Sequence, residues 1–336
     1  MRNEGVVRAL SIDGPGAASI VAWPEESMGE GCFRADTLYT GLSAGTELTY
    51  YKGTNPYLFA SWDKRLGIFS RRDPASGYPI TAPGYMEVGR VRESDTPAIA
   101  IGEMVAMGYG HKTSHVADPV DDYFVPFPAD LDPILGIYVA HMGPICANGL
   151  LHAAADVIGH GVLGLGDGVR GRDVVITGAG VVGLMLGLFA THHGAASVAV
   201  VDRTPARLAA AEGLGLLPID EREGDVAQSV KERLRHGTAD RGADVVFQCR
   251  AQISSLVIAL RSLRPQGSVI DLAFYQGGAN ELRLGEEFHH NGLSIRCAQI
   301  ARVPRGLAHL WDRRRLAAET IQLLGIYGDA IRKHII

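Results

Sequence analysis

The chain has little cysteine. Its four, Cys32, Cys146, Cys249 and Cys297, stand far apart and form no CxxC pair. That excludes a disulfide framework and a zinc ribbon, and it fits a reducing, cytoplasmic setting. A basic excess is missing too. Lys and Arg number 32 against 37 Asp and Glu, for a formal net charge of −5, so no nucleic-acid partner is expected. No long unbroken apolar run is present. The most apolar stretch, 174–190, is punctuated by glycine. It reads as strand, turn and helix rather than a membrane span, and no membrane partner is expected. The opening MRNEGVVRALSIDGPG has no long apolar core behind its basic residue and is not read as a signal peptide.

What is plentiful is glycine, 42 of 336 residues, which implies tight turns and close backbone approaches. Hydrophobic residues make up 46% and charged ones 21%. This is the balance of a folded protein, and the length suits about two domains. The first third reads as β-rich. VVRALSI (6–12), ASIVAW (18–23), DTLYTGL (36–42), YMEVGRV (85–91) and EMVAMGY (103–109) are strands. The stretch 52–83 reads as a loop-rich segment. From about 133 the pattern changes. Residues 134–159 are helical in spacing, interrupted near Gly143-Pro144. Strands at 173–178, 197–202, 216–220, 243–249 and 267–274 then alternate with helices at 181–194, 204–215, 224–236 and 254–264. That alternation implies a parallel sheet covered on both faces, with 293–300 adding a further strand.

Gly178-Ala179-Gly180-Val181-Val182-Gly183 follows the strand DVVIT and opens an apolar helix. Gly178 would allow a tight turn, Gly180 the approach of a pyrophosphate, and Gly183 close packing of helix on strand. The helix N-terminus would offer unpaired N–H groups to the phosphates. Asp202 ends the next strand, where a carboxylate accepts the ribose hydroxyls of NAD and repels a 2′-phosphate. NAD is therefore the expected cofactor; Arg203 and Arg207 follow Asp202 and leave NADP open. Cys249-Arg250 and Ala273-Phe274-Tyr275 end later strands and are candidates to line a nicotinamide. Cys249 reads more readily as a small buried hydrophobe than as a reactive thiol.

Three stretches carry a family resemblance: GLSAGTELTYYKG (41–53), YPITAPGYMEVGRV (78–91) and the glycine fingerprint with Asp202. Together they resemble the medium-chain dehydrogenase/reductase superfamily over nearly the whole chain. The GTE in the first stretch resembles a subgroup that includes bacteriochlorophyllide and secondary-metabolite dehydrogenases. The resemblance implies an α/β fold: a doubly wound Rossmann domain (146–300), a β-rich GroES-like catalytic domain (1–145), and a segment (301–336) that returns to the latter. It also implies a homodimer formed through the strand at 293–300. The chain stops at Ile336, where relatives continue for roughly another strand–helix unit, as a short variant or a truncated form would.

Many relatives hold a catalytic zinc, which needs three protein ligands and an open position. Here the loop cysteine is replaced by Ser43 or Ala44, depending on where a one-residue insertion falls. The GHE motif reads Gly84-Tyr85-Met86, and only Cys146 can match the third ligand. No cysteine lies between Gly102 and Pro128 to build a structural zinc lobe. A zinc-free member is therefore expected. His111, His115, His141 and His152 show no metal-binding spacing and read as surface or core histidines.

The resemblance gives Thr46 the role of proton-relaying hydroxyl, with Thr49 where the relay usually continues in a histidine. Tyr85 stands where a zinc-ligating His would be. Tyr85, Thr46 and Ser43 are thus the catalytic candidates, able to donate a hydrogen bond to a developing alkoxide. Glu47 is expected to orient the loop. The aromatics of 50–69 either line a ring-binding pocket or serve as core. The expected activity is NAD(P)-dependent, metal-independent hydride transfer between nicotinamide and an alcohol or carbonyl small molecule, in a specialised biosynthetic pathway. The alternatives are reduction of an activated C=C bond and cofactor binding without catalysis.

Overall fold

Two runs of sequence grammar become two units. In the computed structural model, which describes residues 5–71, 77–300 and 302–336, they are Met1–His141 and Met142–Ile336.

The β-branched runs of the first unit pair as antiparallel strands. β1 (Val6–Gly14) and β2 (Ala17–Pro24) form a hairpin, and β3 (Phe33–Thr40) leads into the short helix α1 (Glu47–Tyr51). A second hairpin joins β4 (Ser61–Asp63) to β5 (Ile68–Ser70). β6 (Ile80–Thr81), β7 (Glu87–Ser94), β8 (Met104–Met107), β9 (Ser114–Ala117) and β10 (Val125–Pro126) follow. They assemble as β2-β1-β6 and β10-β8-β7-β3-β9. Phe33, Ala35, Val91, Val105, Met107 and Phe124 form the core of the larger sheet. The segment expected as loop, 52–83, departs from that reading because Trp62 and Phe69 face each other across the β4–β5 hairpin with ring centroids 5.0 Å apart. Residues 72–76 of it lie outside the described residues.

The second unit opens with α2 (Met142–Ile158). The interruption foreseen at Gly143-Pro144 is its first turn, where a proline's missing N–H leaves no helical bond unmade. The chain just before it, Pro133–Tyr138, is a 3-10 helix and not part of one long α-helix.

β11 (Asp173–Thr177), α3 (Val181–His192), β12 (Ser197–Asp202), α4 (Pro205–Gly213), β13 (Leu217–Asp220), α5 (Val226–Arg233), β14 (Ala243–Gln248), α6 (Ile253–Ser262), β15 (Leu263–Asp271) and β16 (Ser294–Cys297) then alternate almost without exception. The strands form one parallel sheet in the order β13-β12-β11-β14-β15-β16. This is the doubly wound order, with the winding reversed between β11 and β14. Val174, Val175 and Ile176 are fully buried, which is why the centre of β11 is apolar. α3 is buried from Gly183 to Ala190, which accounts for the most apolar stretch of the sequence. No helix among the described residues is long and apolar enough to cross a membrane.

The final helix, α7 (Arg313–His334), packs on α2, α3 and α4. The expected return of 301–336 to the β-rich domain is therefore corrected: this segment lies in the second unit, with residue 301 outside the described residues. Leu316, Ala317, Thr320, Leu323, Leu324 and Ile331 form its buried stripe. Where α7 meets α2, a Cβ on Gly143 would come within 2.0 Å of Thr320 Cγ2, so only glycine fits there.

Candidate active site

In an open parallel sheet, ligands lie beyond the carboxyl ends of the strands where the winding reverses. Here that point is the loop from β11 into α3. Gly178 has φ +105°, and a Cβ on Gly183 would sit 1.9 Å from the Gly178 carbonyl oxygen. Both glycines are demanded by the fold. Gly180 is different: a Cβ there would meet nothing within 4 Å. Packing does not require that glycine, whereas close approach of a ligand does. The first-turn N–H groups of α3, at Val181 and Val182, have no partner within the helix. They and the helix dipole suit a phosphate.

Asp202 is only 2% exposed. Its Oδ2 accepts the Ala179 N–H at 2.9 Å, and its Oδ1 accepts those of Arg203 and Thr204 at 2.8 and 2.9 Å. Burial works to raise its pKa, but the hydrogen bonds from Ala179, Thr204 and Arg203 outweigh burial and hold the carboxyl below its ordinary range. The carboxylate thus ties the glycine loop to the end of β12. Arg207 Nη1 lies 3.8 Å from Oδ2, and the Arg203 and Arg207 side chains are 58% and 53% exposed.

Beyond β14, the Cys249 N–H donates to the Thr177 carbonyl at 2.9 Å, and burial pushes the Cys249 thiol well up. That is a packing residue, not a nucleophile. Arg250 lies over Gly178, and its Nη1 is 2.9 Å from both carboxylate oxygens of Glu221. Gln248 is fully buried and donates to the Arg250 carbonyl and the Tyr275 hydroxyl. Tyr275 and the Ala273 amide in turn donate to Asp271, which fixes the course of Ala273 and Phe274 after β15. Gln248, Asp271 and Glu221 were not read from the sequence. Their signal was position, since each stands at or just past the end of a sheet strand.

In the first unit, Ser43, Thr46 and Tyr85 come together. Ser43 is 2% exposed. The Tyr85 hydroxyl is hydrogen-bonded to Ser43 Oγ and lies 3.2 Å from Thr46 Oγ1. One phenolic hydrogen cannot serve both contacts, so in one of them the Ser43 or Thr46 hydroxyl donates to the phenol. Thr46 is the N-cap of α1, yet its side chain caps nothing and faces the phenol instead. Thr49 is spent on structure: it donates to the Thr46 carbonyl and accepts from Asn55 at 2.7 Å. His141 packs on the Tyr85 ring, with centroids 4.2 Å apart. Burial, then the nearby Glu47 charge, raises the Tyr85 pKa against the lowering effect of its two hydroxyl partners. The phenol is therefore a donor at neutral pH.

Glu47 is buried; its Oε2 accepts the Ser43 N–H and its Oε1 is hydrogen-bonded to His111 Nε2. The aromatics of 50–69 are not core: Phe59, Trp62 and Phe69 are exposed. Burial pushes the Cys146 thiol up, and Cys146 Sγ contacts the Val182 carbonyl at 3.4 Å. Among the described residues, Asp173, His236 and Asp244 bring potential metal-ligating atoms within 4.8 Å of one another. Asp173 and Asp244 stand at the amino ends of β11 and β14, with His236 in the loop before β14, away from the glycine loop, and Arg264 already pairs with Asp244 at 2.7 Å.

Residues 181–306 match a protein-family model described as zinc-binding dehydrogenase. The chain is 22% identical to D-guloside 3-dehydrogenase of Escherichia coli (strain K12) over 320 residues, 95% of this chain and 88% of that protein. Over residues 181–306 the chain is thus similar to the zinc-binding dehydrogenase family. The solved structures agree in fold. An alcohol dehydrogenase of Thermotoga maritima superposes with a TM-score of 0.75 at 15% identity, over 98% of this chain and 91% of that one. A protein of Sinorhizobium meliloti 1021, described as a zinc-binding dehydrogenase and bound to NADP, superposes at 0.71 with 18% identity, over 95% and 89%. Within this fold, the glycine loop, Asp202, Arg203, Arg207, Cys249, Ala273 and Phe274 share the carboxyl edge of the parallel sheet. Ser43, Thr46 and Tyr85 share one loop region of the β-rich unit.

Proposed function

We propose that this protein is an NAD(P)-dependent oxidoreductase that interconverts an alcohol and a carbonyl compound without a catalytic metal, acting in a specialised biosynthetic pathway. The observation that carries the reading is the Gly178–Gly183 loop, open at Gly180 and backed by the N-terminus of α3. A nicotinamide cofactor, when bound, supplies or accepts the hydride. The chain's own residues hold it: the α3 amides take the pyrophosphate, and Gly178 and Gly183 keep the loop tight. Ser43, Thr46 and Tyr85 present hydroxyl hydrogens to the substrate oxygen, so that charge developing there meets fixed donors.

Donor chemistry supports the metal-independent part of this reading. Two of the three would-be ligand positions hold Ser43 and Tyr85, hydroxyls already bonded to each other, whereas a catalytic zinc takes three ligands from thiolate, imidazole or carboxylate, and Cys146 alone does not make that set. Glu47 and His111, the stronger donors nearby, are committed to one another.

For the cofactor, the engaged Asp202 and the exposed Arg203 and Arg207 favour acceptance of NADPH alongside NADH. A 2′-phosphate would meet two guanidinium groups, while the carboxylate is screened by its amide partners.

The experiment is a fluorescence titration with NADH and NADPH, followed by a panel of ketones, aldehydes and enones read at the nicotinamide absorbance. Carbonyl turnover supports the reading. Enone turnover alone replaces it with C=C reduction. Binding without any turnover leaves a cofactor-binding protein, and absence of binding removes the reading.

A further inference from the structure

Behind the hydroxyl cluster lies a buried charged chain that the reaction as described does not use. His111, 9% exposed, sits between Glu47 and Glu87, at 3% and 0%. The three come from different elements: Glu47 from α1, Glu87 from β7, and His111 from the loop between β8 and β9. His111 Nε2 is bonded to Glu47. Its Nδ1 is 2.5 Å from Thr40 Oγ1 and 3.9 Å from Glu87 Oε1. Thr40 Oγ1 is 3.0 Å from the same Glu87 oxygen, and Glu87 Oε2 accepts the Tyr109 and Gly110 amides at 2.9 and 3.1 Å. A Cβ on Gly84 would come within 3.0 Å of both His111 Nε2 and Glu87 Oε1, so glycine at 84 makes room for the group.

Counting hydrogens decides what this chain holds. Nε2 must donate to Glu47, a carboxylate with no hydrogen to give. Thr40 has a single hydroxyl hydrogen for two neighbours, His111 Nδ1 and Glu87. One further proton satisfies every atom. Placed on Nδ1, it makes His111 an imidazolium that donates to Thr40, which donates to Glu87. Placed on Glu87, it reverses the two bonds and leaves His111 neutral. Thr40 lets the proton sit at either end. Without it, a buried acceptor faces a buried acceptor, at a cost of roughly 1–3 kcal/mol or more. The electrostatics agree with retention of the proton. Burial works against a charged His111, but Glu47 and Glu87 outweigh it and raise the histidine, and burial raises Glu87. Among the described residues, the Glu87 charge also acts on the Lys112 amine of the adjoining chain.

We propose that His111 is the positioning residue of this active site: with the proton it shares with Glu87 through Thr40, it holds Glu47, and Glu47 holds Ser43 so that the Tyr85 hydroxyl is presented to the substrate oxygen. The link is direct at each step, because Glu47 Oε2 takes the Ser43 amide and Ser43 Oγ meets the phenol. The proposal rests on the reading above for the identity of the reaction, but the coupling itself exists in the protein without substrate.

The test uses the full-length protein labelled with 13Cζ-tyrosine. The Tyr85 line is the one lost in Tyr85→Phe. In the wild type, this line shifts with pH in a step below the ionisation of the phenol itself. In His111→Gln and in Thr40→Val the step is absent, while His160→Gln, exposed in the second unit beside the Gly306 carbonyl, keeps it. A Tyr85 line that titrates identically in wild type and His111→Gln overturns the proposal. Should His111→Gln fail to fold, Thr40→Val decides alone, with far-UV circular dichroism and NADH binding as the fold control. In turnover, His111→Gln is expected to lower kcat about tenfold to a hundredfold with NADH affinity unchanged. A wild type that turns over no carbonyl, yet shows the coupled step, ends the alcohol–carbonyl reading and leaves the positioning intact. Turnover without the step does the reverse.

Discussion

The carboxylate of Asp202 accepts the amide hydrogen of Ala179 across 2.9 Å, and this bond makes the end of β12 part of the glycine loop. Asp202→Asn keeps the shape but turns an NH2 toward one of three amide donors. The loss is about 2–3 kcal/mol, the worth of a hydrogen bond to a charged acceptor plus the stranded donor. Thermal unfolding should fall by several degrees. NADH and NADPH should weaken together, because the loop that holds the pyrophosphate is disturbed. Parallel fluorescence titrations check this. Loss of NADH alone would mean that Asp202 acts on the ribose instead.

Arg207 discriminates in the opposite sense. Its guanidinium lies 3.8 Å from Asp202 and is half exposed, free to reach a 2′-phosphate. Arg207→Ala should weaken NADPH roughly tenfold, about one charge-assisted hydrogen bond, and leave NADH within about twofold. An unchanged ratio of the two dissociation constants would remove Arg207 from the cofactor site.

Gly183→Ala places a Cβ 1.9 Å from the Gly178 carbonyl oxygen. Neither backbone segment can move without unseating α3 from β11. The variant should lose saturable NADH binding and unfold at a clearly lower temperature. Gly180→Ala meets no protein atom, so it should fold like the wild type and lose affinity only. The pair separates architecture from ligand approach in one titration and one melting experiment.

The second unit was legible because a covered parallel strand must be apolar and a tight turn must be glycine. DVVIT, GAGVVG and SVAVVD therefore carried both position and purpose. α7 was not legible because its buried stripe, Leu316, Thr320, Leu323 and Leu324, is narrow and set among arginines and other polar residues. In the first unit, Ser43, Thr46 and Tyr85 were visible through motif resemblance, but His111 was not. Its partners are 64 residues before it and 24 before it in sequence, and no local period connects them. Asp202 was legible as an acid at the end of β12, but its turn inward toward Ala179 depends on backbone direction, which residue type does not encode.

His111 also links stability to pH. Its pKa is raised in the folded protein above an unfolded value of about 6.5. The stabilisation is then fully present below about pH 6.5 and is lost as pH rises through the folded value. Glu87 is likewise raised, by burial, and acts with the same sign. The melting temperature of the wild type should therefore exceed that of His111→Gln most at pH 6, and the gap should narrow steadily toward pH 9. A gap that stays constant with pH would mean that His111 is neutral throughout.

Removal of the three hydroxyls should rank them. Tyr85→Phe takes away the phenol that joins Ser43 to Thr46 and leaves the buried Ser43 hydroxyl without its partner. Carbonyl reduction should fall about a hundredfold, within the range for a positioned proton donor, with NADH affinity unchanged. Thr46→Val loses only the longer 3.2 Å contact and should cost about tenfold or less. The pH profile adds a second criterion. Burial and the Glu47 charge raise the Tyr85 pKa above its ordinary 10.0, so the phenol stays protonated, and able to donate, through the whole neutral and mildly alkaline range. An alkaline fall of kcat below pH 10 therefore belongs to the His111 chain. It should vanish in His111→Gln, while in Thr46→Val it should persist at lower amplitude. If instead that limb disappears in Tyr85→Phe and survives in His111→Gln, the titrating group is the phenol, and Tyr85 acts as a base in alcohol oxidation as well as a donor in reduction.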